Sequence, residues 1–503
     1  MELGNHILAV VEPAILPTEI KMEALGEDEG GDNVDKQTKS IGAFEPFILC
    51  NGVQVKRDNL ESFELELSGN VPKCVVTFMD NGSFKVDSMP RDGDFFTILL
   101  NSKHQETFKS VHMDFDITEV TTEAADPSQG NGSGITLSGI AKIPRLFGED
   151  CQVLDADTSL NHLEKIARDL EIGLATNVDS TDDNQSRIQA YETFLDFIKS
   201  IVEDSYISDD SFAKWYIDQY YYLTYVDINK IFNTKNPKLD EVMKVLTSFA
   251  SSELQKSTAE DKTDADNIDV PLILTNHNDL RGLSCHIMEY ELVNNSSKIS
   301  LKAGNSRNVQ IYDNNSEKGE RFQEFTIEPL TTEELSELDE PLKGNRKDER
   351  YKEQVKYKYM GRQNAGDDGL GNTHKNAIFT KLHRKQNQME LEKMKLKCTV
   401  QGFNPAIYKF CKIPVVLYHY DGVAIEAEQI ADGFREEAGL KERPLGAAKP
   451  EVDPNEVSQM MDKFISGFYI VENIDYRYDS SEGIFTDFTL IRREWPGRSR
   501  NLA

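Results

Sequence analysis

Short apolar runs, separated by Gly, Asn, Asp and Pro, dominate the chain between residues 44 and 144. Apolar and polar side chains alternate within these runs, as in strands that have one buried face. The runs that we predict to be strands are FEPFILCNGVQV, SFELELSGN, KCVVTFMD, GDFFTILLN, VHMDFDITEV and GITLSGIAKI. Residues 43–150 are therefore predicted to form a small antiparallel barrel or sandwich. A polar, Gly-rich flexible arm is predicted before it, over residues 1–42.

After residue 150 the apolar spacing becomes helical, and residues 151–268 are predicted to form a middle domain of two helices and a hairpin. The first helix should begin at a cap formed by Thr158 and Ser159 and end at Gly173. The second helix should bury a stripe of five side chains: Tyr191, Phe194, Leu195, Ile198 and Val202.

An aromatic segment, KWYIDQYYYLTYVDIN at residues 214–229, follows the second helix. Period-two alternation on both sides of a polar turn predicts a β-hairpin with one packed face. The tyrosines of the other face, such as Tyr216 and Tyr222, are then candidates for contact with a neighbouring subunit. The alternative is a platform that stacks on sugars, which requires Trp215 and residues 220–222 to be exposed.

Strand patterns return in the second half of the chain, in two parts. Residues 269–330 form the first part, and residues 331–393 are predicted to be a charged insertion followed by a helix around NAIFTKLHRKQNQMELEK. The second part covers residues 394–503, with a polar insertion at 421–460. It begins with MKLKCTV, whose strict alternation predicts a strand that buries Met394 and every second residue to Val400.

The two strand regions resemble each other in the order of their elements. PRDGDFFTILL, MDFDITEV and GSGITLSGI correspond to NPAIYKFCKIPVVLY, SGFYIVENIDYRY and GIFTDFTLIRR. Their identity is low, and a coincidence between generic strand patterns is the alternative to duplication. If the unit is duplicated, three chains would present six similar units, which is enough to match a six-fold ring.

The charge of the chain is uneven. The formal net charge is −31, which argues against general binding of nucleic acid because phosphates would be repelled. Residues 341–400 are basic, with fifteen Lys and Arg against seven Asp and Glu. This segment contains Lys395 and Lys397, which we take as candidates for contact with an acidic surface of another subunit. A solvated loop is the alternative.

The sequence contains none of the common catalytic or ligand-binding motifs. The nine histidines do not cluster, and there is no HExxH, GxSxG, phosphate-binding loop or dinucleotide fingerprint. The six cysteines are scattered, which predicts reduced thiols. No apolar run has transmembrane length, and no signal peptide is predicted. We therefore expect no catalysis, no cofactor and no metal site, in a chain made in the cytoplasm.

Two segments resemble a known family. QAYETFLDFIKSIVEDSYISDDSFAKWYIDQYYYLTYVDINK resembles the helix-plus-hairpin unit of the central baseplate hub proteins of contractile-tailed bacteriophages. The wider relatives of these hubs include late-control D proteins and the hub portion of VgrG proteins of type VI secretion. QMELEKMKLKCTVQGFNPAIYKFCKIPVVLY, followed by SGFYIVENIDYRY, resembles the second tube-type barrel of the same family.

The resemblance implies an α+β, mainly β fold with two tube-type antiparallel β-barrel domains, an intervening helix–helix–hairpin domain and polar insertions. It implies a structural protein of the virion tail baseplate, assembled in the host cytoplasm. A homotrimer would adapt the six-fold tail tube to the three-fold central spike. An acidic lumen wall would let DNA pass without adhesion.

The implied partners are the central spike protein, the tail tube or tube-initiator protein, the tape measure protein and the baseplate wedge proteins, with DNA only in transit. Two alternatives stay open. One is a glycan-binding or glycan-cleaving tail protein, and the other is the hub of a type VI secretion-like contractile injection system.

Overall fold

The structure is a computed structural model. It describes residues 7–18, 44–80, 84, 89–102, 110–124, 133–234, 273–276, 285–294, 307–313, 322–327, 357–360, 374–392, 394–403, 407–419, 460–462, 465–481 and 483–493. Most of the predicted arm and of the two predicted insertions lies outside these residues. The predicted domain boundaries stay predictions.

The first strand region folds as an antiparallel sheet, as predicted. The strands before the helices are β1 (Leu8–Val11), β2 (Phe44–Cys50), β3 (Val53–Gln54), β4 (Leu60–Glu66), β5 (Lys73–Asp80), β6 (Phe95–Ser102), β7 (Val111–Ala124) and β8 (Ser133–Ala141). Strands β2 to β8 lie in the spatial order β4-β5-β8-β7-β6-β2-β3. Strand β5 shows why the pattern works: Cys74, Val76 and Phe78 are buried, whereas Lys73 and Val75, which alternate with them, are exposed.

The middle region contains the two predicted helices and the predicted hairpin. Its elements are β9 (Glu149–Asp157), α1 (Ser159–Asp169), β10 (Gly173–Thr176), β11 (Gln185–Thr193), α2 (Phe194–Asp204), β12 (Ala213–Ile217), β13 (Tyr222–Asp227) and α3 (Ile228–Phe232). Helices α1 and α2 begin after Thr158 and Thr193, whose side chains each accept one hydrogen bond, from the backbone N–H groups of Asn161 and Asp196 respectively. Strands β12 and β13 form the hairpin and extend a four-stranded sheet in the order β1-β10-β13-β12.

Two expectations about the start of this sheet are corrected. Leu8–Val11, predicted to belong to a flexible arm, pairs antiparallel with β10 and forms its edge strand. Gly173 does not end α1: the left-handed residue there is Glu171, at φ 59°, and Gly173 is the first residue of β10. A Cβ at Gly173 would lie 2.4 Å from Cδ1 of Tyr222, so the glycine lets this ring pack on the strand.

The predicted buried stripe of the second helix is also corrected. Tyr191 is exposed and belongs to β11, because the helix begins only at Phe194. Leu195 is half-buried. The fully buried side chains of α2 are Phe194, Phe197, Ile198, Ile201 and Val202.

The last part of the chain returns to strands. Its elements are β14 (Leu274–Thr275), β15 (Ile287–Asn294), β16 (Arg307–Asp313), β17 (Phe322–Ile327), β18 (Tyr357–Met360), α4 (Ala377–Leu391), β19 (Met394–Gln401), β20 (Lys412–Val416), β21 (Tyr418–His419), β22 (Met460–Met461), β23 (Gly467–Asp479) and β24 (Gly483–Arg492). The helix predicted around residue 380 and the strict alternation in β19 are both present. Strands β16, β17 and β18 form a separate sheet, and β21 pairs with β22.

The predicted internal repeat is visible in the strand topology. Strands β4, β5, β6, β7 and β8 form the first repeat and pair antiparallel in the order β4-β5-β8-β7-β6. Strands β15, β19, β20, β23 and β24 form the second repeat and pair antiparallel in the order β15-β19-β24-β23-β20. Each strand of the first repeat therefore has a counterpart in the second repeat at the same place in the chain order and in the spatial order.

The irregularities of the two repeats also coincide. Strand β4 has a bulge between Leu60 and Ser62, and its counterpart β15 has one between Ile287 and Glu289. Strand β7 has a bulge just after Asp116, its last residue that pairs with β6. Strand β23 has a bulge just after Ile470, its last residue that pairs with β20. Bulges are specific features of a strand pair. Their agreement makes a coincidence of generic strand patterns a poor explanation.

The two repeats share one continuous sheet. Residues 475–479 of β23 pair antiparallel with residues 62–66 of β4, so the described strands form a curled sheet of 13 strands. The mainly β fold class is confirmed, and the two predicted units are joined edge to edge. One buried apolar cluster contains Leu65 of the first repeat, Ile198 of the middle region and Leu396 of the second repeat. The three regions therefore pack as one body around that cluster.

Candidate functional site

The face of the continuous sheet that points away from the core is polar. Strand alternation puts apolar side chains on the core and leaves the residues between them exposed or half-buried. The acidic residues at these positions are Glu64, Glu66, Asp116, Glu119, Glu123, Glu289, Glu291, Asp475, Asp479 and Asp487, and the basic ones are Lys73, Lys395, Lys397 and Arg477. The charged residues of this face are therefore mainly acidic, and the face continues across the junction of the repeats as far as Ile470 and Ile491, which are buried in a second apolar cluster with Tyr216.

The junction between the repeats, where β4 meets β23, is held by polar contacts at its end. Asp475 accepts hydrogen bonds from the backbone N–H groups of Leu67 and Ser68, at 2.9 and 3.1 Å. Burial raises the pKa of Asp475, although these two bonds oppose the change. Phe63 of β4 stacks on Tyr478 of β23, with 5.9 Å between ring centres. Strand pairing, ring stacking and side-chain capping thus act at the same place.

Lys409, which lies just before β20 of the second repeat, also stabilises this junction. Its ammonium donates to the carbonyl oxygens of Leu67, Ser68 and Gly69, at 2.8, 3.3 and 3.0 Å. It lies 4.6 Å from the centre of the Tyr216 ring, within the range of a cation–π contact. Sequence reasoning missed this residue. The available signal was a single charge inside the apolar run AIYKFC.

Tyr216, predicted to face a neighbouring subunit, lies inside the chain. It is 3% exposed and meets Phe410 edge to face, with 5.1 Å between ring centres. Its hydroxyl donates to the carbonyl oxygen of Lys409 at 3.2 Å. The prediction failed because it assumed one packed face, whereas both faces of the hairpin are covered. Tyr216 joins the hairpin to the second repeat of its own chain.

Tyr222, the second candidate tyrosine, is half-buried at the middle sheet. Its ring lies over Gly173, and its hydroxyl donates to the carboxylate of Glu12, just after β1. These contacts attach the N-terminal strand to the hairpin. Contact of Tyr222 with another subunit stays a prediction.

Lys395, the third candidate, belongs to a cluster of charges. Its ammonium lies 2.7 Å from the carboxylate of Glu472, which also lies 2.6 Å from the ammonium of Lys214. Lys214 in turn lies 2.5 Å from Glu392, at the end of α4. Burial by itself would raise the pKa of Glu472, but the two lysines outweigh burial and lower it. The cluster connects β12, α4, β19 and β23.

Lys397, the fourth candidate, lies on the polar face at the end of the sheet. Its ammonium is exposed and lies 3.4 Å from the carboxylate of Glu291 on β15. The two side chains line a groove of about 320 Å³, together with Tyr290, Thr399 and Asp487. Of the four candidates, Lys397 is the one that the structure leaves most accessible to another molecule.

The aromatic hairpin fills the core instead of forming a platform. Trp215 is only 8% exposed, and Tyr221 and Tyr225 are buried. The hydroxyl of Tyr221 accepts a hydrogen bond from the backbone N–H of Asp114, and that of Tyr225 donates to Ser205, both at 2.9 Å. These contacts tie the hairpin to β7 and to the end of α2. A sugar platform that uses Trp215 is inconsistent with this burial.

The described residues offer neither a metal cluster nor a membrane-spanning helix. Within them, no group of three or more His, Cys, Asp or Glu side chains is arranged to hold a metal ion. Their helices are all too short or too polar to cross a bilayer. The ring of His374 contacts the carbonyl oxygen of Asp204 at 2.8 Å, which attaches the start of α4 to α2.

Comparison with known proteins shows similarity to solved structures at the level of fold. The sequence matches no protein-family model and no curated protein. The structure is similar to the tail protein of Neisseria meningitidis MC58, with a TM-score of 0.46 and 9% identity over 90% of this chain and 97% of that chain. It is also similar to the 43 kDa tail protein of prophage MuSo2 from Shewanella oneidensis, with a TM-score of 0.45 and 10% identity over 90% and 99% of the two chains.

A third similar structure is an E. coli component of the type VI secretion system, described as similar to phage T4 tail proteins. Its TM-score is 0.39, with 9% identity over 90% of this chain and 77% of that chain. The solved structures that resemble this chain are thus phage tail proteins and type VI secretion proteins. At these identities the likeness is one of fold, so we base the function proposed below on the geometry of the chain itself.

Proposed function

We propose that this chain is a structural subunit of a phage-type contractile tail, and that three copies form the ring-shaped hub at the centre of the baseplate. The observation that carries the proposal is the pair of repeats, which agree in strand order and bulges and share one sheet. A protein that joins two copies of one unit edge to edge within a chain can continue the same arrangement between chains.

The repeat supplies the symmetry that an adaptor needs. A head-to-tail contact between copies generates a closed ring or an open filament. Three copies with two repeats each present six similar units to a six-fold tail tube. The same ring keeps three-fold symmetry in its middle regions, where a trimeric central spike can bind. The tube or tube-initiator protein and the spike are therefore the proposed partners on opposite faces, and wedge proteins would bind around the ring.

The polar face of the sheet suits the wall of a conduit. Its acidic residues outnumber its basic ones, and DNA or an acidic protein that passes over it would be repelled. We propose that this face lines the lumen through which the tape measure protein and then DNA pass. Replacing Glu64, Glu119 and Glu291 with lysine should then make DNA adhere to assembled rings in a salt-dependent way.

Multi-angle light scattering together with electron microscopy tests the hub proposal. The proposal predicts particles of three chains, about 171 kDa from 57.0 kDa per chain, that appear as rings with a central channel. A chain that stays monomeric at every concentration, with or without the spike protein, would contradict it. The same ring is expected for a phage hub and for the hub of a type VI secretion-like system, so this test addresses the architecture that both share.

A further inference from the structure

Two strand edges are open among the described residues. Strand β7 pairs with β6 as far as Asp116, and the N–H of Ile117 still donates to the carbonyl oxygen of Asp94. Beyond that point, residues 119–124 pair with β8 on one side and with no described strand on the other. Strand β15 is the last strand of the continuous sheet, with β19 on one side. Open edges present unpaired N–H and C=O groups that can accept a further strand.

The junction inside the chain shows what each edge can bind. Strand β23 is the counterpart of β7, and its edge beyond β20 is occupied by β4. Strand β15 is the counterpart of β4 and has the same bulge. The open edge of β7 therefore corresponds to the edge of β23 on which β4 lies. The open edge of β15 corresponds to the edge of β4 that pairs with β23.

We infer that β15 of one copy of this chain pairs antiparallel with residues 121–124 of β7 in the next copy. The register follows from the junction inside the chain. There Asp475, Tyr476, Arg477 and Tyr478 lie opposite Glu66, Leu65, Glu64 and Phe63. The equivalent pairs between copies, aligned through the shared bulges, are Thr121 with Val293, Thr122 with Leu292, Glu123 with Glu291, and Ala124 with Tyr290.

The exposure of equivalent residues supports this pairing. Phe63 is 2% exposed because β23 covers it, whereas its counterpart Tyr290 is 39% exposed at the end of the sheet. A second copy docked on β15 would cover Tyr290, as β23 covers Phe63.

The charges at the two junctions are arranged differently. Inside the chain, Arg477 of β23 lies opposite Glu64 of β4. Between copies, Glu123 would lie opposite Glu291, and like charges at directly opposed positions weaken a strand pair. Lys397 lies 3.4 Å from Glu291 and offsets part of this repulsion. The contact between copies is therefore weaker than the junction within a chain, and it should strengthen when Glu123 is made basic.

This inference rests on the proposed ring but specifies which strands form its contacts. The contact is head to tail, because β15 and β7 are different surfaces of one chain. Each copy therefore donates one edge and receives another, and the sheet continues from chain to chain around the ring.

Cysteine cross-linking tests the register. The chain with Glu123→Cys and Glu291→Cys, in a background where the exposed Cys151 is replaced by serine, is treated with a short bismaleimide reagent. The matched control combines Glu119→Cys with Glu291→Cys. Glu119 is also exposed on β7, but it lies about 13 Å along the strand from Glu123. All three glutamates are exposed, so the fold should survive, which circular dichroism checks.

We expect covalent dimers and trimers from the matched pair and at least a five-fold lower yield from the control. Particles of three chains in which neither pair cross-links would overturn the strand pairing while leaving the proposed ring intact. Chains that stay monomeric and do not cross-link at any concentration would overturn both.

A charge substitution tests the same contact without cysteines. Glu123→Lys should lower the concentration at which half of the chains assemble by about ten-fold, because it replaces a like-charge pair with a basic–acidic pair of the kind found at the junction inside the chain. The control, Glu119→Lys, makes the same change of charge outside the predicted pairing. Equal effects of the two substitutions would show that net charge governs assembly, and this result would contradict the inferred register.

Discussion

Replacing Lys409 with methionine is expected to weaken the junction between the repeats. The ammonium of Lys409 donates to the carbonyl oxygens of Leu67, Ser68 and Gly69, and it lies beside the ring of Tyr216. Methionine keeps most of the apolar stem but provides no donor. The three carbonyl groups after β4 would lose their shared partner at once.

The magnitude follows from opposing contributions. A hydrogen bond to a charged group contributes about 1.5–3 kcal/mol, and a cation–π contact about 0.5–2 kcal/mol. Burial of the ammonium opposes these gains and lowers the pKa of Lys409 to about 7. Leaving a buried carbonyl group without its hydrogen-bond donor typically costs about 1–3 kcal/mol. We therefore expect the free energy of unfolding to fall by about 2 kcal/mol, in the middle of this range, because the variant also no longer has to bury a charge.

Urea unfolding at pH 6, followed by circular dichroism and intrinsic fluorescence, measures this loss. The matched control is Lys397→Met, which removes an exposed lysine from the same sheet. Its pair with Glu291 is a surface ion pair, so the control should lose less than about 1 kcal/mol. If both variants lie within about 1 kcal/mol of the unchanged protein, Lys409 does not hold the junction, and the reasoning from its three carbonyl contacts is refuted.

Three further predictions concern other parts of the molecule. Gly173→Ala should lower the free energy of unfolding in urea by about 1–3 kcal/mol, because the new Cβ would lie 2.4 Å from the ring of Tyr222. An unchanged midpoint of urea unfolding would contradict this close packing. Since the pKa of Glu472 is lowered, its stabilising contribution is present above about pH 4.5 and is lost as the pH falls through the folded-state pKa. Glu472→Gln should therefore flatten the acid limb of stability against pH, and an unaltered slope would exclude this role. In the native chain Cys151 should be the one cysteine that reacts quickly with a thiol reagent, since the other five thiols are buried. Fast reaction of a second thiol would contradict the burial of these five.

Local pattern was sufficient to predict most strands and helices. The alternation in β19 marked a strand with one buried face, and Thr158 marked the start of α1, because both features depend on neighbours within a few residues. The internal repeat was also visible, since duplicated topology preserves the order of strands and turns. The resemblance at the helices and hairpin pointed to the same architecture.

Features that depend on distant contacts were not predictable in this way. Strand β1 exists because Leu8–Val11 pairs with β10, more than 160 residues later in the chain. Tyr216 was expected on an outer face because its own strand gives no sign of the second repeat that covers it. Lys409 is an ordinary lysine in the sequence, and it gains its role from three carbonyl groups contributed by residues 67–69.

Electron cryomicroscopy of the purified chain tests the central claim most directly. The account predicts a closed ring of three copies in which six units surround a channel. Density for β15 of each copy should continue into β7 of the next copy, with Glu291 opposite Glu123. A two-fold dimer, or a ring in which these two edges are separated, would contradict it.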